Sequence, residues 1–214
     1  MVDPIVTIYH IEGRRSERVA WLCEELGLPY KLEFKPGDLM GSMMAIGNVS
    51  SMRVAPAVRI GEHVMVESGA ILEYLQLKFG KQRLMPAFDS ADLPYHLQWL
   101  HYAEGSAMYR IVAEHLLRQI KETFEPTAIT QLHMNGGART FAFMEEHLQK
   151  MPYFGGTQFT SADIMMHFPV KIAGNLLKMD STAYPSVSAW RAKVETRAAF
   201  QRAMTATLPN GPVY

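Results

Sequence analysis

Residues with the type and placement to do chemistry fall into four groups in this chain. Tyr9 and Ser16 carry hydroxyls on either side of the glycine-containing segment His10 to Arg15. Arg14 and Arg15 bring two permanent cations to that segment, a source of positive potential for a bound anion. Glu67 and Ser68 stand where a short β-branched run gives way to a helical pattern. Ser68 can cap that helix, whose free N–H groups and positive dipole end suit a carboxylate. The last group is the metal-ligating types, and these read as structural. Cys23 lies on an apolar helical stripe with Val19, Leu22 and Leu26, the place of a small buried hydrophobe rather than a reactive thiol. The eight histidines are scattered, and His96 and His101 are five apart, not a pair on one helix face, so no metal is expected. Structural alternatives exist for the others: a helix cap for Ser16, strand packing for Tyr9, and plain surface exposure for the arginines.

The elements that must position these groups are legible from hydrophobic period. Ile5 to Tyr9 reads as a strand, and Glu17 to Leu26 as a helix with its glutamates turned outward, closed by Gly27 and Pro29. Tyr30 to Phe34 makes a second strand, and the β-α-β order predicts a parallel pair with a right-handed crossover. Lys35 to Met52 holds three glycines and a proline, with Leu39, Met40, Met43, Met44 and Ile46 marking a short helix. Ala57 to Ile60 and His63 to Val66 form a hairpin about Gly61-Glu62, entered through Pro56. Ile71, Leu72, Leu75 and Phe79 then line a helix ending at Gly80.

Residues 81–88 lack periodicity and read as a linker, and 89–214 turn helical. A long helix is expected from Leu93 to about Glu122, and another from Pro126 to about Gln149. Gly136-Gly137 weakens the second unless a kink or close helix packing requires it. Thr160 and Asp163 form a capping box with aspartate in the usual glutamate position, and Phe159 and Ile164 stand as its hydrophobic staple. Pro185 opens a further helix, and Arg197 to Ala203 a closing one.

The balance of 21 basic and 21 acidic residues gives no electrostatic reason to bind nucleic acid, and no run is apolar enough to span a membrane. One cysteine precludes an internal disulfide framework and fits a reducing cytoplasm, and Met1 to Pro4 lack the basic and apolar regions of a signal peptide.

The ordered unit of proline, hairpin, acid-serine and helix over Arg53 to Gly80, continued by Ser68-Gly69-Ala70-Ile71, resembles the glutathione transferase family. The resemblance extends over essentially the whole chain and is strongest at 14–30, 54–80, 99–108 and 157–203. It implies an α/β plus all-α fold: a thioredoxin-like domain (β-α-β-α-β-β-α, 1–80), the linker, and a helical-bundle domain (89–214). The partners implied are glutathione as co-substrate, a small hydrophobic electrophile and a second copy in a homodimer, in the cytoplasm.

By the same resemblance the Ala55–Pro56 bond is expected to be cis, with Ala55 offering its backbone to the cysteinyl part of glutathione. Glu67 and Ser68 are expected to bind the γ-glutamyl end, with Arg15 and Arg53 also in the site and Glu104 reaching the site of a neighbouring copy. The reaction needs a thiolate, and a free thiol titrates near about 8.5, so a hydroxyl, cation or helix start must stabilise it. Ser16 is expected to do so, with Tyr9 second. Many serine-type members carry a serine where this chain has Arg14. The absence of cysteine here argues against the thiol-transferase and disulfide-reductase branches. Tyr102, Met108, Tyr109 and His115 are the candidate electrophile pocket. The expected activity is attack of glutathione thiolate by conjugation, ether cleavage or peroxide reduction, and the rival is a non-catalytic module on the same scaffold.

Overall fold

A computed structural model describes residues 6–120 and 127–212. The expected starts at Ile5 and Pro126, and the expected helix end near Glu122, lie outside the described residues. The chain forms two compact units, one from the described residues up to Met85 together with those from Val194 onward, the other from Pro86 to Lys193. The last twenty or so residues thus join the first unit, whereas the sequence reading placed all of 89–214 in the helical domain.

In the first unit, β1 (Val6–Tyr9), β2 (Tyr30–Glu33), β3 (Ala57–Ile60) and β4 (His63–Met65) form one sheet in the order β2-β1-β3-β4. β1 runs parallel to β2 and antiparallel to β3, with Tyr9 opposite Ala57, and β4 returns antiparallel to β3. Gly61 takes φ 58° in the hairpin turn, a conformation open to glycine without a Cβ clash. Helices α1 (Ser16–Leu26), α2 (Leu39–Gly47) and α3 (Ser68–Phe79) complete the thioredoxin-like arrangement. Val6, Ile8, Val19, Leu22, Ile71, Leu72 and Leu75 are wholly buried in it. A smaller cluster of Ile11, Ile46 and Ala57 gathers Tyr9, Met43, Ala55 and Val66 against α2.

α1 is buried on nearly every side because a helix far along the chain, α10 (Ala198–Thr207), covers it. Glu24 and Glu25 therefore do not point to water as the helical period suggests. Glu25 accepts two hydrogen bonds from Arg197, at 2.6 and 2.8 Å, and Glu24 accepts one from Arg202 at 2.6 Å. Trp21 meets Phe200 edge to face at 4.9 Å. Burial pushes the Cys23 thiol up to about 12, so it stays neutral, as its place on the apolar stripe implies.

The second unit is helical: α4 (Leu93–Tyr102), α5 (Tyr109–Ile120), α6 (Ala128–His133), α7 (Gly136–Leu148), α8 (Ser161–Leu177) and the start of α9 (Pro185–Glu195), with α10 (Ala198–Thr207) returning to the first unit. The expected long helix from Leu93 is interrupted by one π-helical turn, Ala103–Met108. The other expected helix is broken at Asn135, which takes a left-handed φ of 63°. Gly136 and Gly137 then begin α7 where it presses on α5. A Cβ on Gly136 would stand 3.1 Å from the Arg110 carbonyl, and one on Gly137 would collide with Leu177. The buried Glu114 carboxylate accepts the Gly137 N–H at 2.7 Å, placing an anion on the positive end of α7. Close packing accounts for the glycine pair.

The capping box forms at α8. Asp163, wholly buried, accepts from the N–H groups of Thr160 (2.9 Å) and Phe154 (2.8 Å) and from the Trp190 indole (2.8 Å). His96, also buried, bonds the Thr160 hydroxyl through Nδ1 at 3.0 Å. No helix among the described residues is long and apolar enough to cross a membrane.

Candidate functional site

Every residue of the site proper lies at one end of the first unit's sheet. The register that pairs Tyr9 with Ala57 sets Ala55 and Pro56 beside the segment leaving β1. Ile11, Ala55 and Val66 meet in the α2-side cluster, which brings the loop before α1, the turn before β3 and the turn before α3 together. The Ala55–Pro56 peptide bond is cis, as expected.

The β4–α3 turn is built around Glu67, an exposed residue at φ 69°, ψ 105°. A non-glycine residue in that region costs on the order of 1–3 kcal/mol and persists where surrounding structure imposes it, most often at functional sites. Its consequence is that α3 opens without a side-chain cap. Ser68 is the first helical residue rather than the cap, and its buried hydroxyl accepts a hydrogen bond from Arg18 Nη1 at 2.9 Å. The first N–H groups of α3 have no carbonyl a turn earlier to bond, and so face whatever occupies the turn. The arrangement suits a carboxylate at the helix end, with the exposed Glu67 beside it for a cation.

Ser16 departs from the expectation. It is wholly buried and opens α1 as its first residue, with no side-chain cap bond at the Arg15 N-cap position. Its hydroxyl lies 2.7 Å from Nδ1 of His10, while Nε2 of His10 lies 2.8 Å from the Thr207 carbonyl at the end of α10. A carbonyl only accepts, so Nε2 carries the imidazole proton and the bare Nδ1 accepts from the Ser16 hydroxyl. With its proton committed inward, Ser16 has none to give an external thiolate. The same contact replaces the cap role considered for it.

Tyr9, half-buried, accepts at its hydroxyl from Arg59 Nε at 3.4 Å. Arg14 is exposed and Arg15 half-buried in the same turn, where Gly13 takes φ 70°. Arg14 and Ile11 line a cavity of about 200 Å³ with Glu12, Gly37, Asp38, Leu39 and Ser42. Glu12 holds the Gly37 N–H at 2.6 Å through one carboxylate oxygen. Arg53, exposed and at φ 52°, lies over Gly47 of α2 and lines a cleft of about 300 Å³ with Met40, Met43, Met44 and Asn48.

The remaining candidates belong to the second unit. Glu104 is half-buried in the π-helical turn. Met108 is buried in the unit's own core, and His115 donates from Nδ1 to the Leu176 carbonyl at 3.1 Å, a packing role. Tyr102 stacks edge-on against Trp99 at 5.0 Å, and burial raises its phenol above the ordinary value. Tyr109 is exposed and faces His133. Within this unit the four do not share a cavity. The cavity of about 250 Å³ between α4 and α7 is lined instead by Tyr95, Trp99, Phe143, His147 and their neighbours. Among the described residues, no three histidine, cysteine or acidic side chains could hold a metal ion.

Sequence reading missed three participants: Arg18, His10 and Thr207. Two of them left a signal. Arg18 is a charge four residues before Leu22, on the face α1 buries, and His10 continues the buried alternation of Val6 and Ile8. Thr207 left none.

Family models for the N-terminal and C-terminal domains of glutathione S-transferase match residues 8–83 and 111–198, between them most of the chain. Glutathione S-transferase 3 of Schizosaccharomyces pombe is 29% identical over 207 residues, covering 91% of this chain and 85% of its own length. Disulfide-bond oxidoreductase YfcG of Escherichia coli is 27% identical over 216 residues and 94% of each chain. The crystal structure of a glutathione S-transferase from Actinobacillus pleuropneumoniae matches with a TM-score of 0.81 at 23% identity, covering 97% of this chain and 94% of the other. With a sheet end that gathers an uncapped helix start, an acid-serine turn and a cis-proline, and with both domain models matched in order, this chain belongs to the glutathione S-transferase family.

Proposed function

We propose that the protein is a glutathione transferase that binds glutathione at the end of its sheet and directs the thiolate at a small hydrophobic electrophile. The observation that carries this reading is the β4–α3 turn, where Glu67 at φ 69° leaves the α3 N-terminus uncapped and Arg18 fixes Ser68. The γ-glutamyl carboxylate sits on the helix start and its ammonium near Glu67. The cysteinyl backbone pairs with Ala55 as an added strand would, and Arg53 is near enough to the α2 cleft to take the remaining carboxylate.

Because Ser16 keeps its proton inside the fold, the thiolate is assigned to the positive end of α1 and to Arg15, with Arg14 beside it. Tyr9 is the remaining hydroxyl in the neighbourhood. The chain acts as a cytoplasmic homodimer, in which Glu104 of one copy supplies an anion to the glutathione ammonium of the other. The reaction class is conjugation, ether cleavage or peroxide reduction, each of which begins with the same thiolate.

Titration calorimetry with glutathione, followed by turnover of a generic aryl halide, tests the reading. Binding that Ser68→Ala weakens, together with turnover, supports it, and absence of binding overturns it. The rival, a non-catalytic binding module, is favoured by one observation, the inward-turned Ser16 hydroxyl beside Gly13-Arg14. Tight binding with no turnover of several electrophile classes would establish that rival.

A further inference from the structure

We propose that His10 is a positioning residue, which holds the thiol-activating turn in register by tying Ser16 at the start of α1 to the last carbonyl of α10. The inference rests on the transferase reading above and assigns a role to a residue pair that the reading itself leaves without one.

The geometry is a three-part chain. His10 is wholly buried, leaves β1 directly after Tyr9, and packs edge-on against Phe34 of the neighbouring strand's end at 4.7 Å. Its ring is fixed from both sides, by the Thr207 carbonyl at 2.8 Å and the Ser16 hydroxyl at 2.7 Å. The Ser16 oxygen in turn lies 3.4 Å from the N–H and the carbonyl of Ile11. Between Ile11 and Ser16 the chain has four residues: Glu12, Gly13, Arg14 and Arg15. Both ends of this short turn are therefore pinned on one imidazole, and the cations assigned to the thiolate stand inside it.

Thr207 is itself held by its own hydroxyl, which donates to the Ala203 carbonyl at 2.8 Å. The ring's outer anchor is thus part of a formed helix rather than a loose tail. Each imidazole nitrogen has one hydrogen-bonding sense, which fixes the tautomer and hence the direction of the Ser16 proton. A misplacement of about 1 Å in groups that orient a reacting centre can lower rate about 100-fold.

The test separates positioning from direct chemistry. If Ser16 donated to the sulfur, His10→Gln would free its proton, and the pKa of bound glutathione would fall or stay unchanged. A positioning role predicts the reverse. His10→Gln and Ser16→Ala each raise the bound thiol's pKa, read from the ultraviolet absorbance of the thiolate across a pH series. Each lowers kcat on the order of 100-fold, while glutathione Kd by calorimetry changes less than about threefold because the β4–α3 turn is untouched. The double variant is no worse than either single one, since the pair acts as a unit.

A loss of melting temperature with the bound thiol's pKa unmoved in Ser16→Ala overturns the proposal. So does additivity of the two variants. Should His10→Gln fail to fold, His10→Asn, whose amide oxygen can take the Nδ1 position but which leaves the Thr207 carbonyl without its donor, is expected to raise the thiol pKa as well; an unmoved pKa there overturns the proposal. A wild-type protein that binds no glutathione overturns the transferase reading and this inference together. Binding with no response of the thiol to either variant overturns the inference alone.

Discussion

His96 and Asp163 share Thr160 as a hydrogen-bonding neighbour and respond to pH in opposite directions, so replacing His96 should expose a dependence that the intact protein conceals. Burial pushes Asp163 up to about 6 from an ordinary 3.8, against four N–H donors that draw it back. Burial also lowers His96 to about 4 from 6.5, with His101 nearby acting in the same direction. For Asp163 the folded pKa is the higher one. Its contribution is present below pH 4 and lost as pH rises through 6, a change on the order of 3 kcal/mol at 1.36 kcal/mol per unit. For His96 the folded pKa is the lower one. Its contribution is present above pH 6.5 and lost as pH falls through 4, again on the order of 3 kcal/mol. Across pH 4 to 6 the two slopes nearly cancel. Urea unfolding of the second unit at pH 4, 5, 6 and 7 would measure this, followed by fluorescence of Trp190, which donates to Asp163. Subtracting wild type removes every other titrating group. His96→Asn should lose stability relative to wild type by about 3 kcal/mol more at pH 6.5 than at pH 4, and Asp163→Asn should show the opposite trend. Parallel stability curves for wild type and His96→Asn would refute the assignment of a neutral, desolvated imidazole to this site.

Four further outcomes can be checked together. Arg18→Met should weaken glutathione binding by about tenfold in calorimetry, with an unchanged circular dichroism spectrum, because it removes the charged donor that fixes Ser68, a bond worth roughly 1.5–3 kcal/mol. Gly137→Ala should destabilise by about 1–3 kcal/mol in urea titration, since the added Cβ meets buried Leu177. Gly174→Ala, in α8 with open space around it, should instead stabilise by about 0.5–1 kcal/mol. Glu104→Gln combined in a mixed dimer with Ser68→Ala on the other chain should leave one intact glutathione site per dimer, and two equally weakened sites would place Glu104 in its own chain's pocket.

The contrast between what was legible and what was not follows chain separation. The hairpin, α1 and α3 announce themselves because their apolar periods are local, and Gly61, Gly27 and Pro56 mark their ends. The capping box at Thr160 is likewise a four-residue signal. By contrast, the fate of Ser16 depends on Thr207, 191 positions later, and on a ring whose partner no local period reveals. Glu24 and Glu25 read as a solvated face because the arginines that pair with them lie far along the chain, Arg197 at the cap of α10 and Arg202 within it. The π-helical turn at Ala103–Met108 escaped for a different reason: one extra residue per turn hardly disturbs a pattern that Ala103, Ala107 and Met108 still bury. The break at Met134-Asn135 falls where the glycine pair already gives warning, but only α5 and α8 explain why glycine is needed there.

The return of α10 to α1 bears on how the protein is made. A ribosome delivers residues up to Met85 early, yet the surface of α1 that carries Trp21, Glu24 and Glu25 has its cover only when Phe200, Arg197 and Arg202 emerge more than a hundred residues later. Units of a growing chain ordinarily fold in the order they appear. Here the helical unit, complete by Lys193, is free to fold first, and the earlier-made unit waits for its last helix. The nascent sheet unit spends that interval with an aromatic face exposed, which makes it the segment that chaperones should grip. A chain stalled just before Val194 should be captured by them while a full-length chain is not.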